Sequence, residues 1–258
     1  MPVISNRVPF SQRPFRTKRA ADNKIIFLSL EGSVTEEEYF SIITEIYNGV
    51  RTKIQFISVM EEIIGTPPKR RTLEQARMLG KNRPLQLVDK IEQFKVEMEE
   101  EYQFSKYSDE FWIVTDVDDN WSDTEISPGK TLADEWKEAV DICEEKGYGY
   151  AISNPFFEIW LLLHHDEATI EDKTFAVTDE HAYEKTDHFR KRLKKLDVPL
   201  KGKGKDKKHL TFSDYDAEKV MKAVKRAQEL HKDRKDLCPK YFATTVYLLL
   251  EKIQGILL

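Results

Sequence analysis

Three carboxylates close the stretch FWIVTDVDDN, residues 111–120: Asp116, Asp118 and Asp119. Asp116 and Asp118 are two residues apart, so on an extended backbone their side chains point the same way. Two like charges held together repel each other, and a hard cation such as Mg²⁺ relieves that repulsion. Asp also favours turns through bonds to its own backbone, so the stretch by itself leaves a metal site and a plain turn both open. A further carboxylate, Glu31, follows a second apolar run, KIIFLSL at 24–30. If both runs are strands of one parallel sheet, their carboxyl ends share an edge, which is where such sheets bind ligands. Glu31, Asp116 and Asp118 brought together there can hold one or two Mg²⁺, with Mn²⁺ as the alternative ion. Such a site positions a water or a phosphate for phosphodiester chemistry.

A third segment, SNPFFEIW at 153–160, carries Asn154 and Glu158. It follows a short apolar run, so both residues would stand on the same sheet edge. Their simpler explanation is helix initiation: Asn154 as N-cap, Pro155 at the first helical position, and Glu158 facing the positive end of the helix dipole.

The elements that must position these residues are legible from periodicity. Apolar runs predict strands at 24–30, 54–60, 110–116 and 148–152. Between them, apolar residues at helical spacing predict helices: one through Tyr39, Phe40, Ile43 and Tyr47, capped by Ser33 or Thr35, and one through Leu87, Ile91, Phe94, Met98 and Tyr102. Another runs through Leu132, Trp136, Val140 and Cys143 and ends at Gly147. Residues 155–165 read as a buried helix ending in His164 and His165, where helix-end carbonyls favour a cation. After it the chain reads as helical at 180–196, at 214–232 with Ser213 as cap, and at 240–254. His181 and His188, seven apart on the first of these, read as surface residues. Strands alternating with helices specify an α/β fold, a parallel sheet flanked by helices, with a helical C-terminal extension from about 166 to 258. Residues 1–21, polar and without periodicity, read as a flexible basic tail, and 22–258 as one α/β domain.

The 258 residues, 40% hydrophobic and 34% charged, describe a globular chain with a strongly charged surface. No apolar run approaches a membrane span, and the two cysteines, Cys143 and Cys238, have no metal-type spacing, so the expectation is a cytoplasmic protein without membrane contact. The net charge of −5 conceals local basic clusters. From Lys185 to Lys208 there are eleven Lys or Arg against three Asp. Lys69, Arg70 and Arg71 in one loop, and Lys203, Lys205, Lys207 and Lys208 in another, are candidates for holding a nucleic acid backbone.

Taken together, EGSVTEEEYF, FWIVTDVDDN and SNPFFEIWLLLH in this order resemble the RloB/AbiLii family of bacterial defence proteins. Tyr183-Glu184-Lys185, like the family's Y-x-K, and ATTVYLLLEKI near the end extend the resemblance over essentially residues 22–254. The resemblance implies a TOPRIM-type nuclease, with a small parallel sheet, acting in anti-phage abortive infection. It places a general base or metal ligand on Glu31, metal ligands on Asp116 and Asp118, and further site residues on Asn154, Glu158 and Lys185. Asp119 is a supporting carboxylate. It also implies a partner, an ABC- or AAA-type ATPase; this chain contains no Walker-type phosphate loop, so ATP hydrolysis would come from elsewhere. Two departures stand out. Phe156 occupies the position of a usual Cys, and Asn120 that of a frequent His after the D-x-D.

The expected function is therefore a Mg²⁺-dependent nuclease acting on DNA or RNA, with tRNA one candidate. Two alternatives remain: a D-x-D phosphohydrolase using Asp116 as nucleophile, and a non-catalytic adaptor whose acidic edge docks the ATPase.

Overall fold

The structure, a computed structural model, describes residues 24–32, 34–47, 52–57, 83–99, 104–105, 107–117, 122–176, 182–198, 210–236 and 242–254. Its centre is a five-stranded sheet. Strands β1 (Lys24–Leu30), β2 (Thr52–Phe56), β3 (Asp109–Asp116) and β6 (Gly149–Asn154) run parallel, and β7 (Ala243–Thr244) is antiparallel to β6. The order is β2-β1-β3-β6-β7. A small hairpin of β4 (Glu125–Ser127) and β5 (Lys130–Thr131) stands apart from it; Gly129 turns it with a φ of 75°.

Alternation along each strand explains why both faces are covered. Ile26 and Leu28 of β1, Trp112 and Val114 of β3, and Ala151 of β6 enter one core. Ile25 and Phe27, Phe111 and Ile113, Tyr150 and Ile152 enter the other. The first core is closed by α1 (Thr35–Ile46), α4 (Glu158–His165), α6 (Ala182–Lys195), α7 (Ala217–Leu230) and α8 (Val246–Gln254). The second is closed by α2 (Pro84–Met98) and α3 (Leu132–Lys146). Helix α5 (Ile170–Ala176) packs beside α6.

This arrangement creates a crevice. The helix that follows β1 lies on one face of the sheet and the helix that follows β3 on the other, although β1 and β3 are hydrogen-bonded neighbours. The chain thus leaves the sheet in opposite directions at these two carboxyl ends. That is the reversal point at which open α/β sheets bind ligands.

Five expectations are corrected. Strand β2 begins at Thr52 rather than at 54, and residues 58–60 lie outside the described residues. Residues 240–254 are not one helix: Ala243 and Thr244 pair with β6, and Thr245 continues the attachment by donating its N–H to the Ile152 carbonyl at 2.8 Å. The Thr245 hydroxyl also accepts from the Ile152 N–H at 2.8 Å, so β-branched threonines that suit a strand take the place of the first helical turn. Asn154 does not cap α4, which begins at Glu158. It remains the last residue of β6, paired with Ala243, while Phe157 occupies the cap position without a side-chain bond. Likewise Ser213 sits in a 3-10 turn, and α7 is capped by Asp216, whose carboxylate accepts from the Lys219 N–H at 2.8 Å. For α1 the cap position is Val34, with no side-chain bond, and Thr35 is the first helical residue.

Candidate functional site

The crevice edge is built from backbone pairing first. The Glu31 N–H donates to the Val114 carbonyl at 3.0 Å, extending the β1–β3 ladder one residue past β1. The Glu31 carboxylate then crosses to β3: its Oε2 accepts from the Thr115 hydroxyl at 2.5 Å and from the Asp116 N–H at 2.9 Å. Two donors on the neighbouring strand therefore fix an anionic side chain beside Asp116, 85 positions further along the chain.

Two more carboxylates join them. Glu36, in the first turn of α1, is buried, and its carboxyl group lies over Gly32. A Cβ on Gly32 would fall 1.8 Å from Glu36 Oε2, so the glycine is what lets this glutamate fold back over the strand end. Glu158, the first residue of α4, is also buried and accepts from Arg190 Nε of α6 at 2.9 Å.

The electrostatics follow from this crowding. Asp116 is held well above the usual carboxylate range, first by burial and then by the charges of Glu31, Glu36 and Glu158; the Phe157 N–H pulls the other way. Glu36 is pushed up to about 7, again by burial first, with Glu158 and Glu31 adding to it. Carboxylates from four separate elements thus face one another, and Arg190 donates to Glu158. Converging carboxylates are the donor set that a divalent cation takes. Among the described residues no three His, Cys, Asp or Glu side chains stand ready-made as a metal cage. Asp118, the third ligand expected from sequence, lies outside the described residues, as do Asp119 and Asn120.

A model of the RloB-like protein family matches residues 26–253. The chain belongs to that family. No curated protein and no solved structure gives a match.

Of the residues expected to serve this RloB-like site, Glu31, Asp116 and Glu158 come together at the crevice. Asn154 ends β6 on the same edge, where the Val117 N–H bonds to the Ser153 carbonyl at 2.9 Å and ties the end of β6 to that of β3. Lys185 lies in α6, the helix that also carries Arg190; nothing is described of the lysine's side chain. The basic residues Lys69, Arg70 and Arg71, and Lys203, Lys205, Lys207 and Lys208, lie outside the described residues.

Glu36 and Arg190 are the crevice residues that sequence reasoning missed. Glu36 reads as one of three first-turn glutamates serving the helix dipole. Its distinguishing signal is Gly32, a residue without a side chain four positions before it, which leaves room for a folded-back carboxyl. Arg190 has no such signal inside a basic run.

The histidines also differ from expectation. His164 is fully buried rather than a helix-end cation. Its Nδ1 lies 2.8 Å from the Trp160 carbonyl, which can only accept, so Nδ1 carries the proton and Nε2 accepts from the Tyr39 hydroxyl at 3.1 Å. Burial pushes His164 down to about 3, so it is neutral and structural. His188 is not a free surface residue: its Nε2 lies 2.9 Å from the carboxylate of Asp172, which is itself fully buried. His181 lies outside the described residues.

Proposed function

We propose that this RloB-like protein is a Mg²⁺-dependent nuclease of the TOPRIM type, cutting DNA or RNA, with tRNA one candidate. In this reading it works in the cytoplasm as the effector of an anti-phage abortive-infection system, beside an ABC- or AAA-type ATPase. The observation that carries the catalytic half is the meeting of Glu31 and Asp116 at the β1/β3 reversal point, with Glu36 and Glu158 crowding the same space. The defence role and the ATPase rest on family membership and resemblance.

Glu31 and Asp116, with Asp118, are the residues that would hold the ion. When bound, the ion supplies Lewis-acid stabilisation of the charge that develops on the phosphate and lowers the pKa of a bound water. The remaining work belongs to the chain. Thr115 and the Asp116 N–H hold Glu31 in one orientation, so no ordering cost falls on it during reaction. Glu36 stays part-protonated near neutral pH and so can take up or return a proton beside Asp116. Arg190 presents positive charge at the rim, Asn154 ends β6 on the same edge, and Lys185 is the lysine that the family resemblance assigns to the site.

The decisive assay incubates labelled RNA and DNA with purified protein, in Mg²⁺ or in EDTA, alongside Asp116→Asn. Cleavage that needs the ion and vanishes in the variant supports the reading. Cleavage retained in Asp116→Asn, or indifferent to EDTA, removes it. A second reading, a non-catalytic adaptor that docks the ATPase, draws on the Glu158–Arg190 pair and the lack of a ready-made cage among the described residues. It predicts that Asp116→Asn leaves ATPase binding and phage defence intact.

A further inference from the structure

We propose that the exposed ridge of α6 is the track along which a nucleic acid strand reaches the carboxylate crevice, gripped by its phosphates and not by its bases. This inference rests on the nuclease reading above. Three observations carry it.

The first is continuity. Arg190 touches the crevice through Nε, which donates to Glu158 at 2.9 Å, while about half of the side chain, 54%, remains exposed. An arginine bonded through Nε keeps its two terminal nitrogens for another acceptor, and a phosphate matches that fork. Lys194 lies one helical turn further on, at i+4, and therefore on the same side of α6 as Arg190. Lys191 and Lys195 form the adjacent row with the same spacing. The row leads from the crevice rim into a cleft of about 730 Å³ between α5 and α6, whose lining includes Lys191, Arg192, Lys194 and Lys195.

The second is charge. Several basic residues of α6 are already neutralised. Lys191 pairs with Asp187, and Arg192 is clamped between Asp166 and Asp172. Asp172 is fully buried and takes further bonds from His188 and from the Thr169 N–H at 2.8 Å, so Arg192 fastens α6 to α5 and serves as a fixed floor. Lys194 and Lys195 are exposed and have no ion-pair partner among the described residues. They are uncompensated positive charge on a chain of net charge −5, which draws a polyanion to this ridge rather than to the surface at large.

The third is the composition of the cleft. Beside Asp166 and Glu171 its lining carries Lys191, Arg192, Lys194 and Lys195, and cations of this kind grip a phosphate backbone whatever the bases are.

The test is direct binding, followed by fluorescence anisotropy in EDTA so that cleavage cannot intervene. The probes are fluorescein-labelled oligouridine and oligoadenosine of equal length, titrated with wild type, with Asp116→Asn, and with Lys194→Gln and Lys195→Gln together. Wild type and Asp116→Asn should bind both probes alike. The double lysine variant should melt like wild type, bind about tenfold more weakly, and lose about 1.4 from the slope of log affinity against log salt, roughly 0.7 for each single-strand phosphate contact. Unchanged affinity and slope in the double variant overturn the track, as does strong preference for one base. The nuclease reading fails separately: binding through α6 without Mg²⁺-dependent cleavage of any of the labelled RNA and DNA substrates leaves the track and removes the enzyme. Cleavage by wild type together with unaltered binding by the lysine variant does the reverse. A wild type that neither binds nor cuts overturns both.

Discussion

Glu36→Gln isolates the tension in the crevice. An unfolded glutamate titrates at 4.5, whereas Glu36 in the fold is pushed up to about 7, mainly by burial. Below pH 4.5 the residue is protonated in both states and favours neither. As pH rises towards 7 the unfolded chain ionises while the folded one holds its proton, so stability falls with rising pH and levels off above 7. The difference of about 2.5 units corresponds to about 3 kcal/mol at the plateau. Glutamine keeps the shape of the protonated acid and cannot ionise, so the variant escapes this loss. Thermal melts in EDTA should show Glu36→Gln close to wild type near pH 4.5 and more stable at pH 8. For a chain of this size about 3 kcal/mol corresponds to roughly 6–12 °C. Added Mg²⁺ should then raise wild type more than the variant, because an ion relieves a repulsion that the variant no longer has. A variant whose offset from wild type is the same at both pH values, or which is less stable at pH 8, would refute the crowding of charge at this site.

Other perturbations separate the remaining parts of the argument. Asp116→Asn should match or exceed wild-type stability without metal, gain little from Mg²⁺ in a melt, and abolish cleavage. Gly32→Ala drives a Cβ against the Glu36 carboxyl and should cost about 1–3 kcal/mol in urea unfolding, most of it recovered when Glu36 is shortened to Ala in the same chain. His164, held neutral down to about 3 against 6.5 unfolded, gives stability present above pH 6.5 that is lost as pH falls towards 3, about 2 kcal/mol of it by pH 5. The urea midpoint of His164→Gln should therefore vary less than that of wild type between pH 7 and 5, and an equal dependence would mean that His164 titrates normally.

The sheet was legible because it is covered on both faces. Continuous apolar runs such as Phe111–Val114 have few other uses, and their polar ends mark where ligands can gather. From there the neighbourhood of Glu31 and Asp116 needed only the rule that parallel strands end together. The start of α4 was misread because Asn154-Pro155 satisfies every local criterion for a helix start, yet pairing with Ala243 holds Asn154 in the sheet. Local preference lost to a contact made 89 residues later. Strand β7 was missed for a related reason: two residues are too short for any periodicity, and their register comes from Ser153 and Asn154. Glu36 and Arg190 were hidden among like residues, where only the third dimension shows which glutamate folds inward.

The attachment of β7 and α8 has a consequence for the order of synthesis. Val246, Tyr247, Leu249, Leu250 and Ile253 fill the core on the face that α1 and α4 also cover, and Ala243 and Thr244 border the strand that ends in Asn154. All of these residues leave the ribosome after every carboxylate of the crevice. A nascent chain therefore carries Glu31, Asp116 and Glu158 before the α8 side chains that complete this core have been made. In the proposed nuclease reading that order of synthesis acts as a safeguard, since the carboxylates precede the side chains that complete the core beneath them.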